Sequence, residues 1–192
     1  MRIVISMLIL LSFFNDANGQ KRHITFNDLY AYPMVKDIQL SPDGGNIVYV
    51  LTEYDTADGS SVSAVWMIES KGGKSVKIID DSLGASHPRW SPDGNSIAYI
   101  SKRDKVSQII IHNLNSGESQ QITSLSTGAF RVEWSPRGDK LIFHSSVFPE
   151  CKTDSCNQYH QELLDNRQTS GKLYSDLPVR HYNHWLGDKV SH

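Results

Sequence analysis

Hydrophobic residues recur along this chain in short runs, each of which follows a group of turn-forming residues. The runs at residues 47–50, 97–100 and 141–143 consist mainly of β-branched, aromatic and other large apolar side chains. Such residues suit a pleated, buried strand surface. Each run therefore predicts a strand that begins shortly after a turn.

The turn before each run repeats the phrase Ser-Pro-Asp-Gly. Proline sets the first corner of such a turn, aspartate bonds to nearby backbone, and glycine adopts the positive φ that other residues resist. The third copy carries Arg137 where the others carry aspartate. We expect all three copies to be structural turns that join two strands. Their residues are Ser41, Pro42, Asp43 and Gly44, then Ser91, Pro92, Asp93 and Gly94, and then Ser135, Pro136 and Gly138.

The spacing of these turns predicts an all-β fold, a β-propeller. The repeated serines are 50 and then 44 residues apart, close to the roughly 40 to 50 residues of one propeller blade. Further strands are predicted at residues 62–68, 75–79, 108–114 and 120–123, which gives four strands per repeat, as in a blade. The predicted blades are residues 36–80, 86–124 and 129–192. Because a ring usually has about four to eight blades, we interpret residues 20–192 as the N-terminal part of an incomplete propeller.

A different pattern opens the chain. Arg2 precedes an apolar run at residues 3–14, and the small-residue site Ala17-Asn18-Gly19 follows. This order is typical of a secretory signal peptide, here residues 1–19, so we expect an exported protein that is periplasmic or secreted. A retained membrane anchor is the alternative, although the run is short for a bilayer core of about 30 Å. No later apolar run reaches the roughly 18 residues of a membrane-spanning helix.

Charge excludes one class of partner. The formal net charge is −2 and the chain has no basic run, so nucleic-acid binding has no electrostatic basis. The repeats contain no metal-ligand spacing. We therefore expect neither a metal nor another cofactor.

An insertion at residues 148–178 interrupts the third repeat. It contains both cysteines of the chain, Cys151 and Cys156, and in an exported protein we predict that they form a disulfide. A metal site with His160 is the alternative, but two thiols and one histidine fall short of the usual four ligands. Residues 157–167 have helical composition. Aromatic residues, histidines and Arg180 crowd residues 173–185, either as core aromatics or as part of a ligand-facing rim.

Several of these segments together resemble one protein family, the secreted prolyl-oligopeptidase-family (S9) serine peptidases. They are the opening at residues 26–29, the Ser-Pro-Asp-Gly repeats, the Phe-Pro-Glu-Cys loop at residues 148–151, and residues 177–185. The likeness is greatest to the dipeptidyl peptidase V and acylaminoacyl-peptidase group. It implies that the propeller precedes an α/β-hydrolase domain, which holds the catalytic triad and cleaves short peptides that the propeller admits and orients.

The catalytic residues of that family have no counterpart here. The nucleophile of an α/β-hydrolase lies in a Gly-x-Ser-x-Gly elbow, and this sequence contains none. We therefore expect no hydrolysis by this chain alone, which we interpret as an N-terminal fragment. A carboxylate of the propeller would bind the cationic α-amine of a peptide substrate, and Glu150 is the candidate because Cys151 would hold its backbone. The alternative is a solvated surface glutamate.

Two other functions are compatible with the same repeats. One is a non-catalytic TolB-like propeller, a binding module of the cell envelope. The other is a non-functional remnant of a longer protein.

Overall fold

The computed structural model describes residues 22–55, 57–80, 82–168, 180–181, 184–185 and 189–192. The predicted signal peptide lies outside the described residues, as does most of the aromatic and histidine cluster at residues 173–185. Among the described residues, no helix combines the length and apolar character needed to cross a membrane.

The first two repeats each form a four-stranded antiparallel sheet. In both, the strands pair in chain order, so that each neighbour in sequence is also a neighbour in the sheet. The first sheet contains β1 (Met34–Leu40), β2 (Asn46–Tyr54), β3 (Ser61–Glu69) and β4 (Val76–Ile79). The second contains β5 (Ala85–Trp90), β6 (Ser96–Arg103), β7 (Val106–Asn113) and β8 (Ser119–Gln121). The prediction of four-stranded blades is confirmed for these repeats.

The third repeat is a blade that the insertion divides. Strand β9 (Phe130–Trp134) pairs with β10 (Leu141–His144), and β11 (Ser146–Val147) continues the chain. After the insertion, β14 (Val190–Ser191) pairs with β11 in a second two-stranded sheet. The predicted insertion at residues 148–178 contains α1 (Asp154–Asp165), and β12 (Arg180–His181) and β13 (His184–Trp185) follow it before β14. The sheets do not close into a ring, which confirms the incomplete propeller.

The core lies between neighbouring blades. Strand β6 is apolar on both faces: Ile97 and Tyr99 pack against the first blade, whereas Ala98 and Ile100 pack toward the third. Because side chains alternate across a strand, a middle blade needs the continuous apolar run seen here. Full burial of a valine or isoleucine contributes about 1.5–3 kcal/mol, so this packing is the main force that joins the blades.

A hydrogen bond repeats at each blade junction. The indole N–H of Trp90 donates to the carbonyl of Gln39 at 3.4 Å, and that of Trp134 donates to the carbonyl of Arg89 at 3.0 Å. The first repeat has Leu40 at this position, and that side chain is 59% exposed. Trp90 and Trp134 thus each contact the first strand of the preceding repeat.

Candidate functional site

We call the first strand of each repeat its inner strand: β1, β5 and β9. Each inner strand contains a bulge at the same point of the repeat. Asp37, His87 and Arg131 lie four residues before the repeated serines, and their φ angles are 50°, 55° and 52°. In β1, β5 and β9, two residues oppose one on the neighbouring strand at this point. Left-handed φ costs a non-glycine residue of order 1–3 kcal/mol, and bulges redirect side chains. Each repeat therefore has a strained backbone position in its inner strand, and a polar residue occupies it.

Four of these inner-strand residues form one network across the three blades, which we call the inner-strand cluster: Asp37, His87, Arg89 and Glu133. Arg89 lies at its centre. Its NH1 donates to Asp37 Oδ1 at 2.9 Å, and its Nε donates to Glu133 Oε1 at 2.7 Å. His87 Nδ1 lies 3.2 Å from Asp37 Oδ2 and 3.2 Å from Arg89 NH2. A single guanidinium thus joins the first, second and third blades.

Burial is the main reason why the histidine of the inner-strand cluster favours its neutral form. Burial lowers the pKa of His87, and the Arg89 guanidinium lowers it further, while Asp37 and Glu133 oppose the shift. Burial also opposes the charge of Arg89, but hydrogen bonds from Arg89 to Glu133 and Asp37 raise its pKa above the ordinary value. The cluster therefore contains one cation, two carboxylates and a neutral imidazole near neutral pH.

One atom of the inner-strand cluster has no partner. His87 Nε2 is buried and makes no hydrogen bond among the described residues; the nearest carboxylate oxygen, Glu133 Oε1, is 3.9 Å away. A buried polar atom without a partner is costly. The buried Nε2 of His87 is therefore an energetic cost within this junction.

The sequence prediction did not include the inner-strand cluster. The signal that could have located it is positional: charged or polar residues occupy the sites four and two residues before each repeated serine. These are Asp37 and Gln39, His87 and Arg89, and Arg131 and Glu133. Polar residues at equivalent sites of adjacent inner strands contact one another. The sequence does not show these contacts, because they depend on how neighbouring blades are arranged.

The repeated serines all bond to their own turns. Ser91 Oγ donates to Asp93 Oδ1 at 2.6 Å and accepts from the backbone N–H of Ser96 at 2.9 Å. The hydrogen bonds from Ser91 and Asn95 lower the pKa of Asp93 to about 2. The hydroxyl of Ser41 makes the matching bonds to Asp43 and Asn46. These hydroxyls hydrogen-bond within their own turns, and their purely structural role stays a prediction.

The third turn restores the same bond from a different position. Arg137 replaces the aspartate, and Ser135 Oγ instead donates to Asp139 Oδ1 at 2.7 Å. Successive turns also lie against one another, since a Cβ added at Gly94 would meet the ring of Pro42 at 3.9 Å. At Gly138 it would meet the ring of Pro92 at 3.4 Å.

The insertion begins with the predicted disulfide, Cys151–Cys156, which is confirmed. Both sulfurs are therefore bonded to each other, although they lie beside His160 as the alternative metal site required. Helix α1 begins at Asp154, three residues earlier than the composition predicted, because Thr153 caps it by accepting from the N–H of Cys156. Tyr159 and Leu163 of α1 are exposed.

A buried asparagine joins the start of the insertion to helix α1. Asn157 Oδ1 accepts from the backbone N–H of Phe148 at 2.9 Å, and its Nδ2 donates to the carbonyl of Thr153 at 3.3 Å. Asp154 accepts from the backbone N–H and hydroxyl of Ser126, between the second and third blades. The loop is thus held at both ends by side chains of α1.

Glu150 lies on the outside of this loop. Its side chain is 57% exposed, and Oε1 lies 3.6 Å from His160 Nδ1. A cavity of about 680 Å³ adjoins the loop, and its described lining includes Pro149, Cys151 and Asp154 but not Glu150. The role of Glu150 in binding an amine stays a prediction.

Comparisons with known proteins agree with this architecture. A family model described as PD40, TolB beta propeller domain, matches residues 34–164. The propeller domain of the Trilobed protease from Pyrococcus furiosus superposes with a TM-score of 0.50 and 25% identity, covering 60% of this chain and 34% of that one. Acylaminoacyl peptidase from Pyrococcus horikoshii gives a TM-score of 0.53 at 21% identity, covering 65% and 19%; at this identity the likeness shows the fold.

Relatives in sequence include two peptidases and a Tol-Pal system protein. An uncharacterized peptidase, YuxL, of Bacillus subtilis is 38% identical over 84 residues, which are 44% of this chain. Dipeptidyl-peptidase 5 of Porphyromonas endodontalis is 22% identical over 199 residues, 96% of this chain. The Tol-Pal system protein TolB of Histophilus somni is 34% identical over 70 residues, 36% of this chain and 15% of that protein. The chain spans 13% and 28% of the length of the two peptidases.

Proposed function

The chain belongs to the PD40 family of TolB β-propeller domains, and from this membership we propose that it is the propeller part of an exported serine exopeptidase of the dipeptidyl or acylaminoacyl type. In the whole protein, an α/β-hydrolase domain would supply the nucleophile, base and oxyanion donors of the reaction. The propeller would restrict entry to short peptides and orient them. Residues 1–19 would be removed on export.

One observation favours the peptidase over a non-catalytic binding module. The similarity to dipeptidyl-peptidase 5 extends over 96% of the chain, whereas the similarity to TolB is confined to 36% of it. Propeller repeats alone account for a short match, because PD40 blades occur in both classes. A match over nearly the whole chain favours the peptidase.

Within this function, Glu150 would bind the free amino end of the substrate. An α-amine has a pKa of about 7.7–8.0 and is largely cationic at neutral pH, and a carboxylate binds it by a charge-assisted hydrogen bond. Glu150 is open to solvent beside His160. Its neighbour Cys151 is held by the disulfide and by the bond of its N–H to the carbonyl of Phe148. A fixed backbone and an accessible carboxylate are what such a contact needs.

The second candidate is a non-catalytic binding module of the cell envelope. Its support is the family itself and the TolB relative at 34% identity. In this case the blades would bind a protein partner, and no hydrolase domain would be encoded with them.

Reading the gene beyond the codon for His192 separates the two candidates. The peptidase proposal expects an open frame that encodes further blades and a Gly-x-Ser-x-Gly elbow. A stop codon without such a domain would exclude the peptidase and leave the binding module.

Kinetics of the full-length enzyme then test Glu150. Glu150→Gln keeps the size of the side chain and removes its charge, so we expect KM for dipeptide substrates with a free amine to rise by roughly tenfold, about 1.4 kcal/mol. KM for the same substrates with an acetylated amine should not change. Glu118→Gln, on an exposed turn of the second blade, is the matched control. Equal KM values for Glu150→Gln and the unaltered enzyme would remove Glu150 from the site while leaving the peptidase proposal intact.

A further inference from the structure

The third blade has an exposed apolar face that matches one half of a blade junction. Ile142 of β10 lies seven residues after the repeated serine and is 70% exposed. Val48 and Ala98, at the equivalent positions of the first two repeats, are fully buried, because each packs in the junction with the blade that follows. The third blade therefore presents the surface on which another blade would pack.

The first blade presents the other half of such a junction. Ile38 lies three residues before the repeated serine and is 62% exposed. Pro88 and Val132, at the equivalent positions of the later repeats, are fully buried. Val132 belongs to the same buried group as Ala98. Since Ile38 is equivalent to Val132 and Ile142 to Ala98, these two exposed isoleucines occupy the two sides of one repeated contact.

The repeated turns show the same two halves. A Cβ added at Gly94 or Gly138 would meet the proline ring of the preceding turn, at 3.9 and 3.4 Å. At Gly44, the equivalent glycine of the first blade, it would meet no described atom within 4 Å. Pro136 in the third turn is exposed. Gly44 and Pro136 are therefore the outer ends of a series of contacts between neighbouring turns.

Polar residues of neighbouring inner strands follow a rule of contact. The residue four positions before the serine contacts both polar residues of the next blade: Asp37 lies 3.2 Å from His87 and 2.9 Å from Arg89. The residue two positions before the serine contacts its own equivalent, as Arg89 does with Glu133 at 2.7 Å. The same rule states which groups would meet at a further junction.

We propose that two copies of this chain pair head to tail, with the third blade of each copy packed on the first blade of the other. The contact joins two different faces, and it closes because it occurs twice about one two-fold axis. Two sets of three blades make six, within the usual count of about four to eight blades in a ring. The exposed apolar faces of both copies are then buried.

The polar groups of the two faces are complementary. By the rule of contact, Arg131 of one copy meets Asp37 and Gln39 of the other, and Glu133 meets Gln39. Arg131 and Glu133 are exposed in the single chain. The guanidinium of Arg131 donates to the Asp37 carboxylate, and the Gln39 amide donates to Glu133. A cation thus faces an anion, and the remaining carboxylate faces a neutral donor.

This pairing concerns residues 20–192 and does not rest on the peptidase function. In a longer protein, further blades of the same polypeptide would cover the two faces in place of the second copy. Failure of the pairing would therefore leave the peptidase proposal intact, and failure to find a hydrolase domain would leave the pairing intact.

Molar mass in solution tests the pairing. Light scattering after size-exclusion chromatography of the mature chain should give twice the mass of one chain. Ile142→Asp and Ile38→Asp should each raise the dimer dissociation constant at least about tenfold, because each places a charge in an apolar contact that occurs twice. Leu163→Asp, at an exposed position of α1, is the matched control and should leave the dimer unchanged. Circular dichroism of each variant should show the strand content of the unaltered chain, because all three positions are exposed.

Cross-linking identifies the faces that meet. A chain with Ile38→Cys mixed with a chain with Ile142→Cys should form a disulfide-linked pair on mild oxidation, because the equivalent Val132 and Ala98 share one buried group. Neither variant alone should form such a pair. A mass of one chain at every concentration, assemblies larger than two chains, a dimer that Ile142→Asp does not weaken, or cross-linking of either variant alone would overturn the proposal.

Discussion

A single residue can combine a strained backbone, a buried ring and a charged environment, and His87 does so here. Its φ is 55°, its Nε2 is buried without a hydrogen bond, and its neighbours are Asp37, Arg89 and Glu133. Arg131 also acts on it electrostatically. Because burial is the largest of these effects, the folded chain favours the neutral imidazole.

The lowered pKa of His87 predicts that acid weakens the fold. The unfolded chain takes up the proton near pH 6.5, before the folded chain does, so the stabilising contribution is complete above that pH and is lost as pH falls through it. Burial lowers the pKa of His112 as well, which adds in the same direction. The free energy of unfolding should therefore decrease from pH 7.5 to pH 5, measured by urea denaturation, and should decrease less steeply in His87→Gln and least in His87→Gln with His112→Gln. A histidine NMR titration that places the midpoint of His87 above that of the unfolded chain would contradict this prediction.

Among elements, the blade junction depends on a contact that recurs from repeat to repeat. Trp134 donates to the carbonyl of Arg89 and packs against the buried group that contains Ala98 and Ile100. One repeat earlier, Trp90 donates to the carbonyl of Gln39 and packs against the buried group that contains Ile97 and Tyr99. The equivalent Leu40 is exposed, so this position of the repeat occurs once exposed and twice in contact with a neighbouring blade.

This difference predicts unequal effects of two substitutions. Trp134→Phe removes the N–H and leaves a carbonyl without its donor, so we expect the free energy of unfolding to fall by about 1–3 kcal/mol. Leu40→Phe, at the equivalent exposed position, should change it by less than about 0.5 kcal/mol. Both are measured by urea denaturation followed by the fluorescence of the remaining tryptophans. Equal changes for the two variants would show that the repeated hydrogen bond is not what stabilises the junction.

The elements were largely predictable from sequence, and the contacts between them were not. The period of the turns and the apolar runs predicted both four-stranded blades, because strands and turns are encoded locally. The third turn kept its geometry although Arg137 replaced aspartate, since Asp139 reaches the serine from two residues further on. The inner-strand cluster joins residues up to 96 positions apart, from Asp37 to Glu133, and no local pattern shows which of them meet.

For the whole molecule, three blades are joined at one guanidinium. Arg89 is 15% exposed and bonds to Asp37 on β1 and Glu133 on β9. Glu133 is 56% exposed, so solvent weakens that half of the network. The apolar core supplies most of the interblade free energy, and Arg89 sets the relative position of the inner strands.

Removing this guanidinium should loosen all three blades together. Arg89→Gln leaves the partly buried Asp37 carboxylate without its cation, and we expect the free energy of unfolding to fall by about 1–3 kcal/mol. Arg137→Gln, whose side chain is 85% exposed, should have an effect near zero. Hydrogen exchange of the β1, β5 and β9 amides should rise in Arg89→Gln, and a rise limited to β5 would contradict a role shared by the three blades.

The pairing of β11 with β14 has a consequence for how this architecture tolerates change. Val147 pairs with Val190, so the insertion leaves and re-enters the blade through adjacent positions of one ladder. Val147 and Val190 are directly opposite each other, so a two-residue hairpin turn could in principle close the same pair. The segment between Val147 and Val190 is thus an insertion site. We expect that segments of other lengths and compositions can replace it while β11 and β14 keep their register.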